Sequence, residues 1–300
     1  MIQNLDNVIV YFDSNDTWIF NIVIALVMFG VALGITKENF NNLLNKPKIL
    51  LTGLIAQFFI FPLITFLLII IINPAPSIAL GMILIASCPG GNVSIFLTQL
   101  SGGNSAFSIS LTAFMTLFAG IFTPFCLSFL GNFYEPTRTI LKEVQIDHYK
   151  LIKLVILTLG MPLIIGMILN HHKSDLAKKI SKFLKPISLL IFIGFIIIVV
   201  KNNFDVFVNY ISYVILIVIA HNLLGMLSGF YFGKLTKLPL AYQKTLAFEL
   251  AIPNVGLALL LVFAFFNGLG GMALTVGFWA IWNVISGLLL SFYWKNKILK

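Results

Sequence analysis

The sequence predicts an all-α polytopic membrane protein, with about nine transmembrane helices in two inverted-topology repeats and two broken helices. Three observations predict it. Only 10% of the 300 residues are charged and 59% are apolar, where average soluble proteins carry roughly 25% charged residues. Apolar runs of about 20 residues, the length that crosses the hydrocarbon of a bilayer, follow one another along the chain. Two of these runs are interrupted, at Cys88-Pro89-Gly90-Gly91-Asn92 and at Ala251-Ile252-Pro253-Asn254, 164 positions apart.

In order, the candidate spans are 17–35, 49–73, 78–100, 105–130, 150–170, 187–201, 208–233, 245–266 and 271–294. Turns such as Asn73-Pro74-Ala75-Pro76 and Gly102-Gly103-Asn104 separate neighbours. Residues 1–17 carry three Asp and no Lys or Arg, and no small-residue cleavage site follows the first apolar run, so no cleavable signal peptide is expected. Cys88 and Cys126 lie in separate spans and imply neither a disulfide framework nor metal-ligand spacing. The expected organisation is an extracytoplasmic segment 1–17, a transmembrane domain 18–294 and a cytoplasmic tail 295–300. Repeat one covers about 18–130 and repeat two about 150–294.

The net charge of +9 would suggest nucleic acid in a soluble protein. Here the basic residues fall in short loops. Loops 36–48, 171–186 and 234–244 and the C-terminal tail hold 14 of the 19, leaving Arg138, Lys142, Lys150, Lys153 and Lys201 on the other side. Basic residues mark the cytoplasmic side. The N-terminus is therefore expected outside and the C-terminus in the cytoplasm, in a cell (inner) membrane with the lipid bilayer as partner. Lys178–Lys185 reads either as such a topology signal or as a short surface helix on anionic lipid.

Sliding the chain by 164 lays Leu54-Ile55-Ala56-Gln57 on Val218-Ile219-Ala220-His221 and, without a gap, Pro89 on Pro253. Matched spans five helices apart run in opposite directions. Paired interrupted segments in inverted repeats point to the binding site of a secondary transporter. The breaks are Pro89, Gly90 and Pro253. Such backbone is tolerated at membrane depth where protein or a polar cavity satisfies the freed groups.

Of the ten acidic residues, Glu249 alone sits inside a span. An ionisable group there is costly and points to function; snorkelling to the nearby inner end is the bland alternative. Pro253, four residues on, has no N–H, so the Glu249 carbonyl lacks its helical partner. Carboxylate and carbonyl oxygens suit a small hard cation. Ser108 and Thr112 share one helix face and, with Ser94, supply hydroxyls; ordinary helix–helix hydrogen bonding explains them equally well. Gln57 and His221 occupy repeat-related positions, facing a polar cavity or a partner helix. Asn92 and Asn254 follow the breaks and could contact solute, beside helix N-termini that suit an anion. No G-x-S-x-G motif and no intramembrane Ser–His–Asp or paired-Asp set points to an enzyme, and His171-His172 reads as a surface pair.

At these residues the chain resembles the bile acid:sodium symporter family. The matching stretches are Met28-Phe29-Gly30-Val31-Ala32-Leu33, Ile55-Ala56-Gln57, Cys88 through Ser94, His221-Asn222, Glu249 through Leu257 and Ile281 through Gly287. The resemblance implies a core domain with two crossing broken helices and a separate panel domain. Bacterial members commonly have ten spans; by that pattern this chain is expected to lack the first, leaving nine. One family sodium site would use Ser94, Ser108, Thr112 and Glu249, and a further ligand position falls on Ile95. The second would use Gln57, Glu249 and the carbonyls of Leu250 and Ile252, and its further ligand falls on Pro253. Neither Ile95 nor Pro253 offers a side-chain oxygen. Substrate-binding candidates are Asn92, Asn254 and His221.

The sequence thus supports a secondary active transporter for a small organic anion, coupled to sodium, with no catalytic residues and no cofactor beyond the coupling ion. A proton-coupled carrier using Glu249 and a passive channel are the alternatives.

Overall fold

Proline and asparagine fix where the helices start and stop. Pro47 and Pro76 stand in the first turns of their helices, where a missing N–H costs nothing. Asn73, at φ 44°, ends one helix in the left-handed conformation. The side chains of Asn104 and Asn254 accept from the backbone N–H groups of Phe107 at 2.8 Å and Leu257 at 3.1 Å, capping two others.

The computed structural model describes residues 2–11, 17–144 and 148–298. After a short 3-10 helix, Ile2–Asn7, come α1 (Thr17–Ala32), α2 (Lys37–Leu44), α3 (Pro47–Ile55), α4 (Phe61–Ile72), α5 (Pro76–Ser87), α6 (Asn92–Leu100), α7 (Ser105–Phe133) and α8 (Glu135–Val144). Then follow α9 (His148–Val155), α10 (Met161–His172), α11 (Ser174–Asn202), α12 (Phe204–Leu235), α13 (Leu240–Ala251), α14 (Val255–Phe265) and α15 (Gly270–Ile298). Single π turns, Ala56–Ile60 and Ile156–Gly160, fuse α3 to α4 and α9 to α10. Each lies just before a proline, Pro62 or Pro162. A proline has no N–H and its ring crowds the carbonyl four residues back, which accounts for the widened turn.

Among the described residues five stretches are long and apolar enough to cross a membrane: Pro47–Ile72, Ser105–Phe133, Tyr149–His172, Phe204–Leu235 and Gly270–Lys295. Asn21–Ala32, Pro76–Ser87 and Val255–Phe265 are shorter apolar helices. The expected spans 78–100 and 245–266 are each two half-helices. The expected span 187–201 is the second part of α11, and Lys178, Lys179 and Lys182 sit on the exposed start of that same helix. No separate surface helix forms there. Lys, Ala and Leu are good helix formers, so the helix begins well before the apolar run does.

The repeat is visible in the elements. A shift of 164 carries Pro76–Ser87 onto Leu240–Ala251 end for end and Asn92–Leu100 into Val255–Phe265. The same shift brings Ser105–Phe133 to within one residue of Gly270–Ile298.

Packing gathers the helices into two groups. In one, α1, α10 and α11 hold each other. Asn170 Nδ2 donates to Ile35 O at 2.8 Å, and Gly166 lies so close to Ala32 that a Cβ would come within 2.5 Å of it. In the other, α5 packs on α7 and α15, and α12 on α13 and α15. The broken helices belong to this second group.

A strap from the start of the chain closes one end of it. Leu5 and Val10 are buried. Val10 N donates to Gly268 O at 2.8 Å and Gly270 N to Val8 O at 2.7 Å, framing an antiparallel pair of Ile9 with Leu269. Asp6 Oδ1 accepts from Ser77 N at 2.8 Å, so a distant side chain caps α5. Tyr11 and Asn203 exchange two hydrogen bonds, of 2.6 and 2.9 Å, at the corner between α11 and α12.

Candidate cation site at the helix crossing

The two breaks meet. Gly91 N donates to Ile252 O at 2.9 Å, Asn254 N donates to Pro89 O at 2.7 Å, and Gly90 pairs with Pro253 as an antiparallel bridge. Side chains would obstruct this approach: a Cβ on Gly91 would stand 3.0 Å from Pro253 O. The crossing redirects the carbonyls at the end of α13. Pro253 has no N–H to offer Glu249 O, and Ile252, at φ −120° and ψ 66°, has already left the helical conformation. The Asn254 N–H that would pair with Leu250 O goes to Pro89 instead. Ala251 O accepts from Asn222 Nδ2 at 2.8 Å. Ile252 O, a candidate ligand, already accepts from Gly91 and keeps one lone pair.

Two helices bring three hydroxyls to Glu249, which is fully buried. Ser94 Oγ, from α6, donates to Oε1 at 2.7 Å, and Ser108 Oγ, from α7, donates to the same oxygen. Thr112 Oγ1, one turn further along α7, donates to Oε2 at 2.7 Å. The carboxyl lies against the first break, where a Cβ on Gly90 would sit 2.2 Å from Oε2 and 3.3 Å from Thr112 Oγ1. Gly90 is therefore a wall of the site as well as a helix break. Ser94 Oγ is also 2.6 Å from Gly91 O, a second acceptor for its proton.

Gln57 lies on the π turn Ala56–Ile60. Its Nε2 donates to Cys88 O at 2.8 Å and to Ala86 O at 3.3 Å, while its Oε1 is buried without a partner. Asn92 is exposed at the start of α6 and Asn254 is half-buried. Asn254 caps α14 through Oδ1 and places Nδ2 3.4 Å from Met28 Sδ. His221 is not brought to Asn92 or Asn254 by any described contact. Its Nε2 is 2.7 Å from Thr65 Oγ1, and its ring packs on Phe61 and edge-on against Trp279. Ile95, on α6, packs with Val31, Ala113 and Leu163.

Lys244 is a site neighbour that hydropathy assigned to an inner loop. It is 4% exposed, inside α13, with Nζ 2.8 Å from Ser101 O. Its position one residue before the apolar run was the only signal, and it pointed the other way. Among the described residues no three His, Cys, Asp or Glu side chains gather as a metal group, and His171 and His172 are exposed.

The family model described as the sodium bile acid symporter family matches residues 21–210. The chain belongs to this family. It is 31% identical over 295 residues to an uncharacterized sodium-dependent transporter, YocS, of Bacillus subtilis, covering 96% of this chain and 88% of that protein. A probable sodium/metabolite cotransporter, BASS1, of Arabidopsis thaliana chloroplasts is 26% identical over 279 residues, covering 91% of this chain and 66% of the relative. The human ileal sodium/bile acid cotransporter is 30% identical over 164 residues, 55% of this chain and 46% of the relative. The chain is accordingly a multi-pass membrane protein of a transporter family.

Proposed function

We propose that this chain carries a small organic anion across the membrane together with sodium, by alternating access, with its N-terminus outside and its C-terminus in the cytoplasm. The observation that carries the reading is the set of Ser94, Ser108 and Thr112 hydroxyls on Glu249. With the carboxyl they make hard oxygen ligands from three helices, gathered where both broken helices meet. An alkali cation takes such donors. Three hydroxyls that all donate to one carboxyl suit its ionised form, which is acceptor-only. A buried carboxylate needs a counter-charge. This supports sodium over a proton as the coupling ion. Ser94 can turn its proton to Gly91 O and present a lone pair to the ion.

Gln57 Oε1 and the carbonyls of Glu249 and Leu250 offer a second oxygen set, beside Pro253 in place of a side-chain ligand. For the anion, the N-termini of α6 and α14 face the crossing with positive dipole ends, and Asn92 stands exposed beside them. Relatives are a probable sodium/metabolite cotransporter and a sodium/bile acid cotransporter, and the variety of these cargoes leaves the solute defined here as an organic anion. Uptake by proteoliposomes tests the reading. Labelled organic acids should accumulate under an inward sodium gradient and not under potassium, and Glu249→Gln should remove the difference. Accumulation driven by a pH gradient and indifferent to sodium would overturn it.

A further inference from the structure

We infer that Lys244 is a positioning residue that sets the affinity of the cation site through the corner between α6 and α7; this rests on the sodium reading above. The two helices that bring hydroxyls to Glu249 are each held a second time by one turn of α13, α6 just past its C-terminal end and α7 at its N-cap. Lys244 Nζ donates to Ser101 O, the carbonyl just past the end of α6, whose first turn carries Ser94. Thr245 Oγ1 accepts from the backbone N–H of Asn104 at 2.9 Å. Asn104 caps α7, and its carbonyl receives the N–H of Ser108. One turn further along α13 stands Glu249 itself.

The lysine is built in. It is buried, its ammonium lies 5.5 Å from the Trp294 ring centre, and Trp294 packs on Phe230 and Phe248. Ser291 Oγ adds a hydrogen bond of 3.2 Å to Leu97 O on the same end of α6. A cation there complements the negative end of the α6 dipole, as helix C-termini favour. With the α6–α7 corner tied to α13, the distance between these helices at Ser94, Ser108, Thr112 and Glu249 is fixed as well. Binding constellations lose strength when their supporting contacts let them drift by about an ångström.

Two mechanisms predict opposite signs for Lys244→Met. Through charge alone, removing a positive group from the helix that carries Glu249 would tighten cation binding. Through positioning, it weakens binding. The test measures thermal stabilisation of the full chain in detergent against sodium concentration, with potassium as control. It also measures backbone hydrogen exchange over residues 94–112 in the wild type, Lys244→Met and Lys244→Arg. The expected result is a sodium midpoint raised about tenfold in Lys244→Met, the size of coupling found within one hydrogen-bond network. Lys244→Arg should recover most of it, and exchange should rise at 101–112 in the Met variant only. A midpoint that is unchanged or lower in Lys244→Met would overturn the assignment. Should the wild type show no sodium-specific response, the sodium reading fails on its own. The exchange data then still decide the lysine: unchanged protection at 101–112 in Lys244→Met overturns the positioning role, and lost protection upholds it.

Discussion

A single missing methyl group decides the geometry of the cation site. At Gly90 a Cβ would collide with Glu249 Oε2. Gly90→Ala must therefore push the carboxyl away from Thr112, and overpacking of this kind costs about 1–3 kcal/mol. The expected outcome is a lower melting temperature in detergent and loss of the sodium-dependent shift, with Glu249→Gln adding little to the second effect in the double variant. At Pro253 the change works in the other direction. Pro253→Gln adds a side-chain oxygen beside the crossing, so the sodium midpoint should fall; a rise in the midpoint would show that the proline's rigid break matters more than the new ligand. His221 is governed by Thr65. The Thr65 hydroxyl donates its only proton to Phe61 O at 2.8 Å, so His221 must donate from Nε2 to Thr65 and carry its lone pair on Nδ1, which has no partner. Thr65→Val leaves that donor buried and unpaired, at about 1–3 kcal/mol. Melting should shift down while the sodium midpoint stays put.

At the level of the helix, much was legible. Proline and glycine announced both breaks, and the 164-residue spacing announced that they correspond. Glu249 with Ser94, Ser108 and Thr112 was named from burial cost, face-sharing and family resemblance, and the geometry brings the four together. Other features had no local signature. The π turn that presents Gln57 follows from Pro62, five residues away, and only the three-dimensional ladder shows that the helix continues through it. Helix α11 outruns its apolar part because helix propensity and hydropathy are different properties. Lys244 was counted as a loop cation because nothing in sequence tells a snorkelling lysine from one folded back on Ser101. The cap that Asp6 gives α5 spans 71 positions, beyond any local pattern. Asp6→Ala should destabilise by about 0.5–2 kcal/mol, the usual value of a lost cap. Chemical or thermal unfolding in detergent checks it, and Asp6→Asn should recover most of the loss.

For the molecule as a whole, the repeats share a frame but not their chemistry. The shift that lays Pro89 on Pro253 lays Ser108, Thr112 and Glu249 on Met272, Val276 and Ile85, all buried and apolar. One pseudo-symmetric half supplies hydroxyls and the other supplies the carboxyl. The strap adds a further tie between the halves, since Asp6 caps α5 while residues 8–10 bind the turn at 268–270. Ile9 and Leu269 face each other between flanking hydrogen bonds, the closer of the two antiparallel pairings, with Cα atoms about 4.5 Å apart, a spacing within the range that disulfides span. Ile9→Cys with Leu269→Cys should cross-link on mild oxidation. If the strap keeps its seat through the transport cycle, uptake survives the cross-link; loss of uptake that a reductant restores would show that it must lift.

The division of labour at Glu249 has a genetic consequence. A cut between α8 and α9 would yield one fragment with every hydroxyl of the site and another with its only carboxylate. Neither product could bind the ion by itself, and a duplicate of either half could not replace the other. Two separately inert polypeptides should regain sodium-dependent stabilisation only when made in the same cell. A Glu249→Gln lesion in the second should then be rescued by a fresh copy of the second and never by surplus of the first.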